Sequence, residues 1–148
     1  MDLTVKHFCE LSLDELYAIM KMRSDVFVVE QNCVYPDLDN RDQNACHFLL
    51  KEDGKYVSYL RLMPKDDTHP YVSIGRVLSL ERRKGYALCL LKAAIQKAEE
   101  LYDAKEIYLE AQVYARKLYE KAGFQKISEE FLEDGIPHIK MLRKRNDQ

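Results

Sequence analysis

The sequence predicts an α/β (α+β) fold in which helices pack on a central sheet. Runs of β-forming residues alternate with amphipathic helical patterns, in the order β-α-(α)-β-β-β-α-β-α-β-β. Such an order is typical of layered folds in which helices cover a mixed sheet. The pattern contains no repeat and no internal boundary, so we expect a single domain, residues 1–148.

The chain begins with a short strand and a capped helix. Val5–Cys9 can form the strand, and Ser12 with Glu15 three residues later forms a capping box at the start of the helix. The apolar stripe predicts that this helix frays near Ser24 or runs on into the apolar residues that follow. Residues 30–42 are too polar for a core and too rich in Tyr and Leu for a disordered linker. We therefore expect an ordered loop there, a kind of segment that often carries function.

A hairpin and a surface loop come next. Cys46–Lys51 and Tyr56–Met63 are predicted strands, and the Asp53-Gly54 dipeptide between them suits a tight turn. Pro64–Pro70 is predicted to be a polar surface loop.

The second half of the chain contains two helices and the last strands. The longer helix is predicted to reach about Leu101, and the alternation in Ile107–Ala111 indicates a strand. Tyr114–Ala122 is predicted to be a short helix. Phe124–Phe131 and Ile136–Leu142 are predicted to form a final strand pair.

The composition is that of a globular chain of 148 residues, 47% hydrophobic and 32% charged. Its net charge of −2 gives no basic field that would favour nucleic acid. No segment is apolar enough to span a membrane and the N-terminus lacks a signal-peptide pattern, so we expect a cytoplasmic protein. The four cysteines are scattered, without a C-x-x-C or a histidine at ligand spacing, which favours a reducing compartment and predicts no metal site.

One stretch has the features of an anion-binding site. A predicted strand through Ile74 and Leu78 leads into the basic turn, residues 82–85, and a helix begins directly after it. The first N–H groups of a helix lack partners within the helix, and the helix dipole places partial positive charge there. Gly85 would let a ligand approach the backbone, and the cationic side chains would add full charges. The same spacing also fits a tight turn with a solvated basic surface.

Two motifs together resemble those of the GNAT superfamily of acyl-CoA-dependent N-acyltransferases. Residues 82–87, RRKGYA, are similar to the family's Arg/Gln-x-x-Gly-x-Gly/Ala loop, and residues 112–124 to its second signature. Residues 26–31, 110–112 and 133–139 resemble the ElaA-like branch. The resemblance covers essentially the whole chain and implies a mixed, mostly antiparallel central sheet with helices on both faces.

The chain departs from the family pattern in two places. Gln112 stands where the wider superfamily usually has Asn, although Ala-Gln is typical of the ElaA-like branch. The span from Gly75 to the glycine turn is also shorter than in that branch. The residue that would meet the thioester is therefore Val77 or a neighbour.

The resemblance implies an acetyl-CoA-dependent N-acetyltransferase in which a primary amine attacks the acetyl group directly in a ternary complex. Backbone N–H groups of the basic turn would hold the pyrophosphate, and the exposed edge of the preceding strand would pair with the pantetheine arm. The residues implied in acetyl-CoA (CoA) binding are Val77, Leu78, Ser79, Arg82, Arg83, Lys84, Gly85, Tyr86, Ala87, Gln112 and Tyr119.

Three catalytic roles complete this interpretation. A backbone N–H near Val77 would stabilise the developing oxyanion. Tyr119 stands where the family places its general acid, and a phenol can protonate the departing thiolate, although this residue also fits an apolar packing face. Glu30, which follows an apolar run, is the candidate general base. It fits equally well a helix carboxylate or an ion-pair partner of Arg76, a residue that must be paired, with Glu30 or Asp39, if its strand is buried.

The sequence defines the acceptor side of the site less sharply. Glu30, Gln31, Tyr35 and His138 are the candidate substrate-binding residues, and His138 also fits a hydrogen-bonded core histidine. The acidic, aromatic-containing rim between Tyr35 and residue 42 would attract a cationic amine. The expected partner is therefore a small-molecule or peptide amine, and pairing through the last strands would allow a homodimer.

Other function classes are excluded or stay open. The chain has no G-x-x-x-x-G-K-[ST], which argues against a P-loop enzyme, and the basic turn lacks the first glycine of a dinucleotide-binding fingerprint. A transferase of a longer acyl group stays open. So does a non-catalytic acyl-CoA-binding or sensing module, which would keep Gly85 and tolerate loss of Tyr119 and Glu30.

Overall fold

The computed structural model describes residues 1–146. In that part of the chain eight strands form one sheet: β1 (Asp2–His7), β2 (Cys46–Glu52), β3 (Lys55–Met63), β4 (Val72–Ser79), β5 (Glu106–Gln112), β6 (Gln125–Lys126), β7 (Phe131–Glu133) and β8 (Ile136–Lys144). The α-helices are α1 (Leu13–Arg23), α2 (Tyr86–Tyr102) and α3 (Arg116–Lys121). The order along the sheet is β1-β2-β3-β4-β5-β8-β6, and β7 also pairs with β8. All pairs are antiparallel except β4 and β5, so the predicted mixed, mostly antiparallel sheet is confirmed.

The helices cover both faces of this sheet. Alternate residues of β2 and β3 point to opposite sides: Phe48 and Leu60 pack with α2, whereas Leu49 and Tyr59 pack with Ile19 of α1. The helix α3 lies on the same side as α2, because its residue Tyr119 belongs to the α2 cluster. Burial on both faces explains why these strands read as nearly continuous apolar runs.

The start of α1 follows the sequence prediction, and its end takes one of the two forms expected. The Ser12 hydroxyl accepts a hydrogen bond from Glu15 N at 3.0 Å, and Glu15 Oε1 accepts one from Ser12 N at 2.8 Å. After Arg23 the chain continues as a π-helical segment, Ser24–Glu30. The helix therefore runs on, which carries its apolar residues to the beginning of the polar loop.

Two predicted strands have different bounds. The first strand ends at His7 rather than Cys9, because Phe8–Glu10 form a 3₁₀ turn in which Glu10 Oε1 accepts a hydrogen bond from His7 N at 2.9 Å. The predicted strand 124–131 is divided into β6 and β7. The interruption spans residues 127–130, where the Ser128 hydroxyl accepts the Lys140 backbone N–H at 2.8 Å in place of a backbone partner.

The loop between the π-helical segment and β2 is fixed by buried arginines. Arg23, only 1% exposed, donates to Asp37 Oδ2 at 2.9 Å and to Asp42 Oδ1 at 2.7 Å. Arg61, only 2% exposed, donates to Asp42 Oδ1 at 2.9 Å and to both carboxylate oxygens of Asp39. Buried guanidinium groups need such partners, so the acidic loop is held against the sheet by its charges.

Residues 1–146 contain no helix with the length and apolar character needed to cross a bilayer.

Replacing Asp39 by Asn should destabilise the protein by about 2–3 kcal/mol at neutral pH. This lies below the ~3–5 kcal/mol typical of a broken buried pair because Asp39 is 27% exposed and Asp42 still contacts Arg61. Urea unfolding measures the difference. Asp25→Asn, in the exposed pair with Lys21, is the control and should change stability by less than about 0.5 kcal/mol.

The effect of Asp39→Asn should also depend on pH. Burial alone would raise the pKa of Asp39, but hydrogen bonds and the charge of Arg61 outweigh it and hold the pKa well below its usual range. A carboxylate with a depressed folded-state pKa stabilises above its unfolded pKa of about 3.9 and loses that contribution as the pH falls further. The gap between wild type and variant should therefore shrink below about pH 4. A gap that stayed constant down to pH 2 would contradict this assignment.

Candidate active site

The cleft forms where β4 and β5 separate. These parallel strands pair only at Val72 with Ile107 and Ser73 with Tyr108. Beyond those pairs the β4 edge from Gly75 to Ser79 has no strand partner on its β5 side among the described residues, whereas its other side pairs with β3. The opening belongs to a cavity of about 1150 Å³ that reaches from the basic turn to β7 and β8.

A β-bulge lies in the cleft wall. Between the pairs Tyr59–Leu78 and Arg61–Gly75, β4 has one residue more than β3, and Arg76 adopts a left-handed φ of 53°. A bulge disrupts the ladder locally and bends the strand. Val77, expected to supply the oxyanion donor, lies at this bulge and lines the cavity.

The basic turn lies at the other end of the free β4 edge. Arg83 and Gly85 have φ values of 64° and 77°, and a Cβ built on Gly85 would meet no atom within 4 Å. Within residues 1–146 no side chain caps α2, unlike α1, so the first N–H groups of α2 remain available at a positive helix end. Arg83 and Lys84 are exposed beside them. This arrangement can hold an anionic group.

Glu30, the candidate general base, is paired with a cation. Its carboxylate is 52% exposed and accepts a hydrogen bond from Arg82 at 2.7 Å. The guanidinium of Arg82 also lies 5.8 Å from the ring of Tyr114. Glu30 lines a small groove beside the main cavity, with Gln31, Arg82 and Gln112.

Arg76 pairs with the acidic loop and not with Glu30. Its Nε donates to Asp37 Oδ1 at 2.9 Å, and Asp39 Oδ2 lies 3.6 Å from its terminal nitrogen. Tyr35 joins this pair, because its hydroxyl donates to Asp37 at 3.0 Å and its ring lies 5.7 Å from the Arg76 guanidinium. Burial raises the pKa of Tyr35. The ring and the hydroxyl of Tyr35 thus line the cavity while engaged in structural contacts.

Two contacts connect the π-helical region to the far side of the cleft. The side-chain amides of Gln31 and Gln112 donate to each other at 3.2 Å. The Cys33 thiol lies 3.6 Å from the backbone oxygen of Asp134. These contacts fix the distance between the loop and the β5–β8 half of the sheet.

Tyr119 lies in the apolar wall of the cavity. It is buried and packs edge-on against Phe124 at a centroid distance of 6.3 Å. Burial raises the pKa of Tyr119, so its phenol keeps the proton over a wider pH range than a solvent-exposed tyrosine. Tyr119 therefore packs in the apolar core, as one interpretation of the sequence expected. It also lines the cavity, where the other interpretation, a general acid, requires it to be.

His138 lies across from Gln112 in the β5–β8 register. Its Nδ1 is 2.7 Å from Ile136 O, and its Nε2 is 3.6 Å from Glu133 Oε2. The ring stacks on Phe131 with centroids 6.0 Å apart. His138 is therefore hydrogen-bonded and buried, as one interpretation expected, and also lines the cavity.

Tyr71, Tyr108 and Glu133 also line the cavity, and the sequence predicted no role for them. Tyr71 and Tyr108 stack at 5.5 Å, and the Tyr108 hydroxyl donates to Glu110 at 2.6 Å. Partial burial, followed by the charge of Glu110, raises the pKa of Glu133. The alternation in β5 places Glu110 and Gln112 on one face, but no local signal connects Tyr71 or Glu133 to them because they come from other elements.

All sequence-predicted site residues except Glu30 line the main cavity. Tyr86 lines the cavity although its hydroxyl donates to Glu52, which does not line it. This bond raises the pKa of Tyr86 to about 12. Within residues 1–146 no group of three or more His, Cys, Asp or Glu side chains is arranged to hold a metal ion.

Comparison with known proteins agrees with this geometry. Residues 18–145 match the model of the acetyltransferase (GNAT) domain. A UPF0039 protein of Schizosaccharomyces pombe is 41% identical over 145 residues, 95% of each chain, and the protein ElaA of Escherichia coli is 38% identical over 141 residues, 93% of this chain and 92% of that one.

Solved structures show the same relationship. The crystal structure of an acyl-CoA N-acyltransferase from Pseudomonas aeruginosa is similar, with a TM-score of 0.88 and 40% identity over 97% of this chain and 99% of that one. The crystal structure of Escherichia coli ElaA has a TM-score of 0.90 and 35% identity with the same coverage. The chain therefore belongs to the GNAT acetyltransferase family, among the relatives of ElaA, and is an enzyme of acyl-CoA-dependent acyl transfer.

Proposed function

We propose that this enzyme transfers the acetyl group of acetyl-CoA to a primary amine by direct attack within a ternary complex. One observation carries the proposal: the uncapped start of α2, the free edge of β4 and Tyr119 line the same cavity. These three features suit, in order, a pyrophosphate, an amide-containing arm and a departing sulfur. Acetyl-CoA is consumed in this reaction and is therefore a substrate.

The basic turn would bind the phosphate groups. The N–H groups of Tyr86, Ala87 and Leu88 begin α2, where an anion gains from both hydrogen bonds and the helix dipole. Arg83 and Lys84, both exposed, add charge. The third cation, Arg82, contacts Glu30 and would form the rim of the site.

The free edge of β4 would bind the pantetheine arm. Residues 75–79 offer backbone groups toward the gap, and an amide-containing chain can pair with them as an added strand. At the bulge within that edge the Val77 N–H would receive the charge that develops on the acetyl oxygen. One such donor typically accelerates acyl transfer by ~10²–10³-fold.

Tyr119 would donate a proton to the leaving sulfur. Its raised pKa keeps the hydroxyl protonated at neutral pH. A thiol has an unperturbed pKa of about 8.5, below that of a phenol, so full proton transfer from Tyr119 to the thiolate is uphill. Tyr119 would therefore stabilise the developing thiolate by a hydrogen bond and transfer its proton late, as the amine nitrogen gives up its own.

Gly85→Asp should abolish acetyl-CoA binding measured by calorimetry, because a carboxylate would then occupy the place of the pyrophosphate. Gly85→Asn has the same shape without the charge and should bind more tightly than Gly85→Asp. Gly54→Asp is the conformational control. Gly54 has the same φ of 77°, an equally open surrounding and no place in the cavity, so wild-type affinity is expected. Failure of the wild type to bind acetyl-CoA would reject the proposed function.

Tyr119→Phe should lower kcat by about 10²-fold and leave the affinity for CoA unchanged, because only the proton donor is removed. Thiol release under saturating substrates measures the first quantity and calorimetry the second. Tyr102→Phe, on α2 and outside the cavity, is the control. Equal kcat values for wild type and Tyr119→Phe, with acyl transfer rate-limiting, would exclude Tyr119 as the acid.

A further inference from the structure

A proton acceptor for the amine is missing once Glu30 is placed in the exposed pair with Arg82. A primary amine is mostly an ammonium ion at neutral pH, so it must lose a proton before it can attack. The acceptor must reach the cavity and carry a free lone pair. Several cavity residues could accept a proton, among them His69, Glu110 and Glu133. His138 is the histidine that is buried in the cavity wall.

The hydrogen bond at Nδ1 fixes the tautomer of His138. A backbone carbonyl can only accept, so the 2.7 Å contact with Ile136 O requires Nδ1 to carry the proton. In the neutral ring Nε2 then carries the lone pair. Stacking on Phe131 and burial of 92% of the residue hold the ring in this orientation.

Nε2 faces the open side of the sheet and a carboxylate. The register pairs His138 with Gln112 and Ala111 with Ile139. Since Ala111 and Ile139 pack against α2, His138 lies on the opposite face. Glu133 Oε2 lies 3.6 Å from Nε2, too far for a strong hydrogen bond. A ligand nitrogen to one side of this pair could lie at hydrogen-bond distance, about 2.8 Å, from both atoms.

Carboxylates and tyrosines surround this position. Glu133 comes from β7 and Glu110 from the same face of β5, and the two carboxylates are close enough for the charge of Glu110 to raise the pKa of Glu133. The stacked pair of Tyr71 and Tyr108 continues the wall. Lys140 on β8 is the cross-strand partner of Glu110 and lines the same cavity. Two carboxylates against one lysine leave this position with a net negative charge, which favours a cationic ligand.

We propose that His138 Nε2 is the general base of the reaction and that Glu133 and Glu110 bind the acceptor as a primary ammonium ion. This inference rests on the proposed acetyl transfer and deepens it. Nε2 takes one proton from the ammonium and releases it to solvent. The nitrogen then forms the new C–N bond and the C–S bond breaks. The sulfur takes a proton from Tyr119, and the second proton lost from the nitrogen restores the Tyr119 hydroxyl. The balance is ammonium plus thioester to amide, thiol and one proton.

The first test is the pH dependence of acetylation. Thiol release is measured with 2-phenylethylamine and with 1,4-diaminobutane as probes. His138→Gln should lower kcat/KM by about 10²-fold and remove the fall in rate on the acid side, because the base must be neutral to act. Glu133, Asp134, Glu110 and Lys140 are the charged groups around His138, and they remain in the variant. His7→Gln, an exposed histidine outside the cavity, should match the wild type.

The second test is Glu133→Gln, which should raise KM for either amine by about 10-fold with little change in kcat. Loss of a merely structural Glu133 would not raise KM while leaving kcat unchanged. Loss of a merely structural His138 would not flatten the acid limb of the pH profile. Because Glu133 is exposed, Glu133→Gln is expected to fold even if His138→Gln does not.

The third test needs no turnover. In protein with labelled histidine, each amine added to the CoA complex should shift the ring signals of His138 and leave those of His7 unchanged.

The outcomes separate the two proposals. An unchanged acid limb in an active His138→Gln, or amine binding that leaves the His138 signals in place, overturns the inference alone. Acetyl-CoA binding without acetylation or binding of either amine also overturns it. No binding of acetyl-CoA overturns the proposed function and the inference together.

Discussion

The cleft depends on the ion pair between Arg76 and Asp37. Arg76 lies at the β4 bulge with a positive φ, a conformation that costs an L-residue with a Cβ atom about 1–2 kcal/mol. Two hydrogen bonds of 2.9 Å to Asp37, one to its carboxylate and one to its backbone oxygen, offset this cost. The same Asp37 accepts from Arg23 at the end of α1. A single carboxylate thus connects the bulge, the helix and the loop, so none of them can move without the others.

The buried charges around Asp37 fix the position of the cleft wall more than they add to folding stability. Replacing a buried ion network by apolar residues is often neutral or stabilising, whereas removing one member leaves a charge without a partner. Arg61 illustrates the point, because its Nε is a buried donor with no hydrogen-bond partner among the described residues. Such an imperfect network is a poor source of folding free energy. It does fix the wall opposite β5, and a cleft for two substrates needs that separation.

The features predicted from the sequence are those formed by residues close together in the chain. The capping box at Ser12 and the positive-φ turn at Asp53-Gly54 are completed within a few residues, and both are confirmed. The basic turn follows from the order strand, glycine, helix. The partner of Glu30 did not follow, because Arg82 is 52 positions away and only the packed sheet brings it near. For the same reason the cavity joins Glu133 to Glu110 without a signal in either segment. A bulge is also invisible to a period-two pattern, since one added residue on β4 changes the register without changing the composition.

The gap between β4 and β5 would give the two proposed proton transfers separate surroundings. Tyr119 belongs to the apolar cluster under α2, where burial favours its neutral, proton-bearing form. His138 lies on the other face, beside carboxylates that favour an ammonium ion. An acid must keep its proton and a base must accept one, and a single environment could not favour both in two adjacent groups. In the proposed mechanism, a sheet that opens in the middle would solve this conflict, because the thioester would lie in the gap with its sulfur toward one face and the amine on the other.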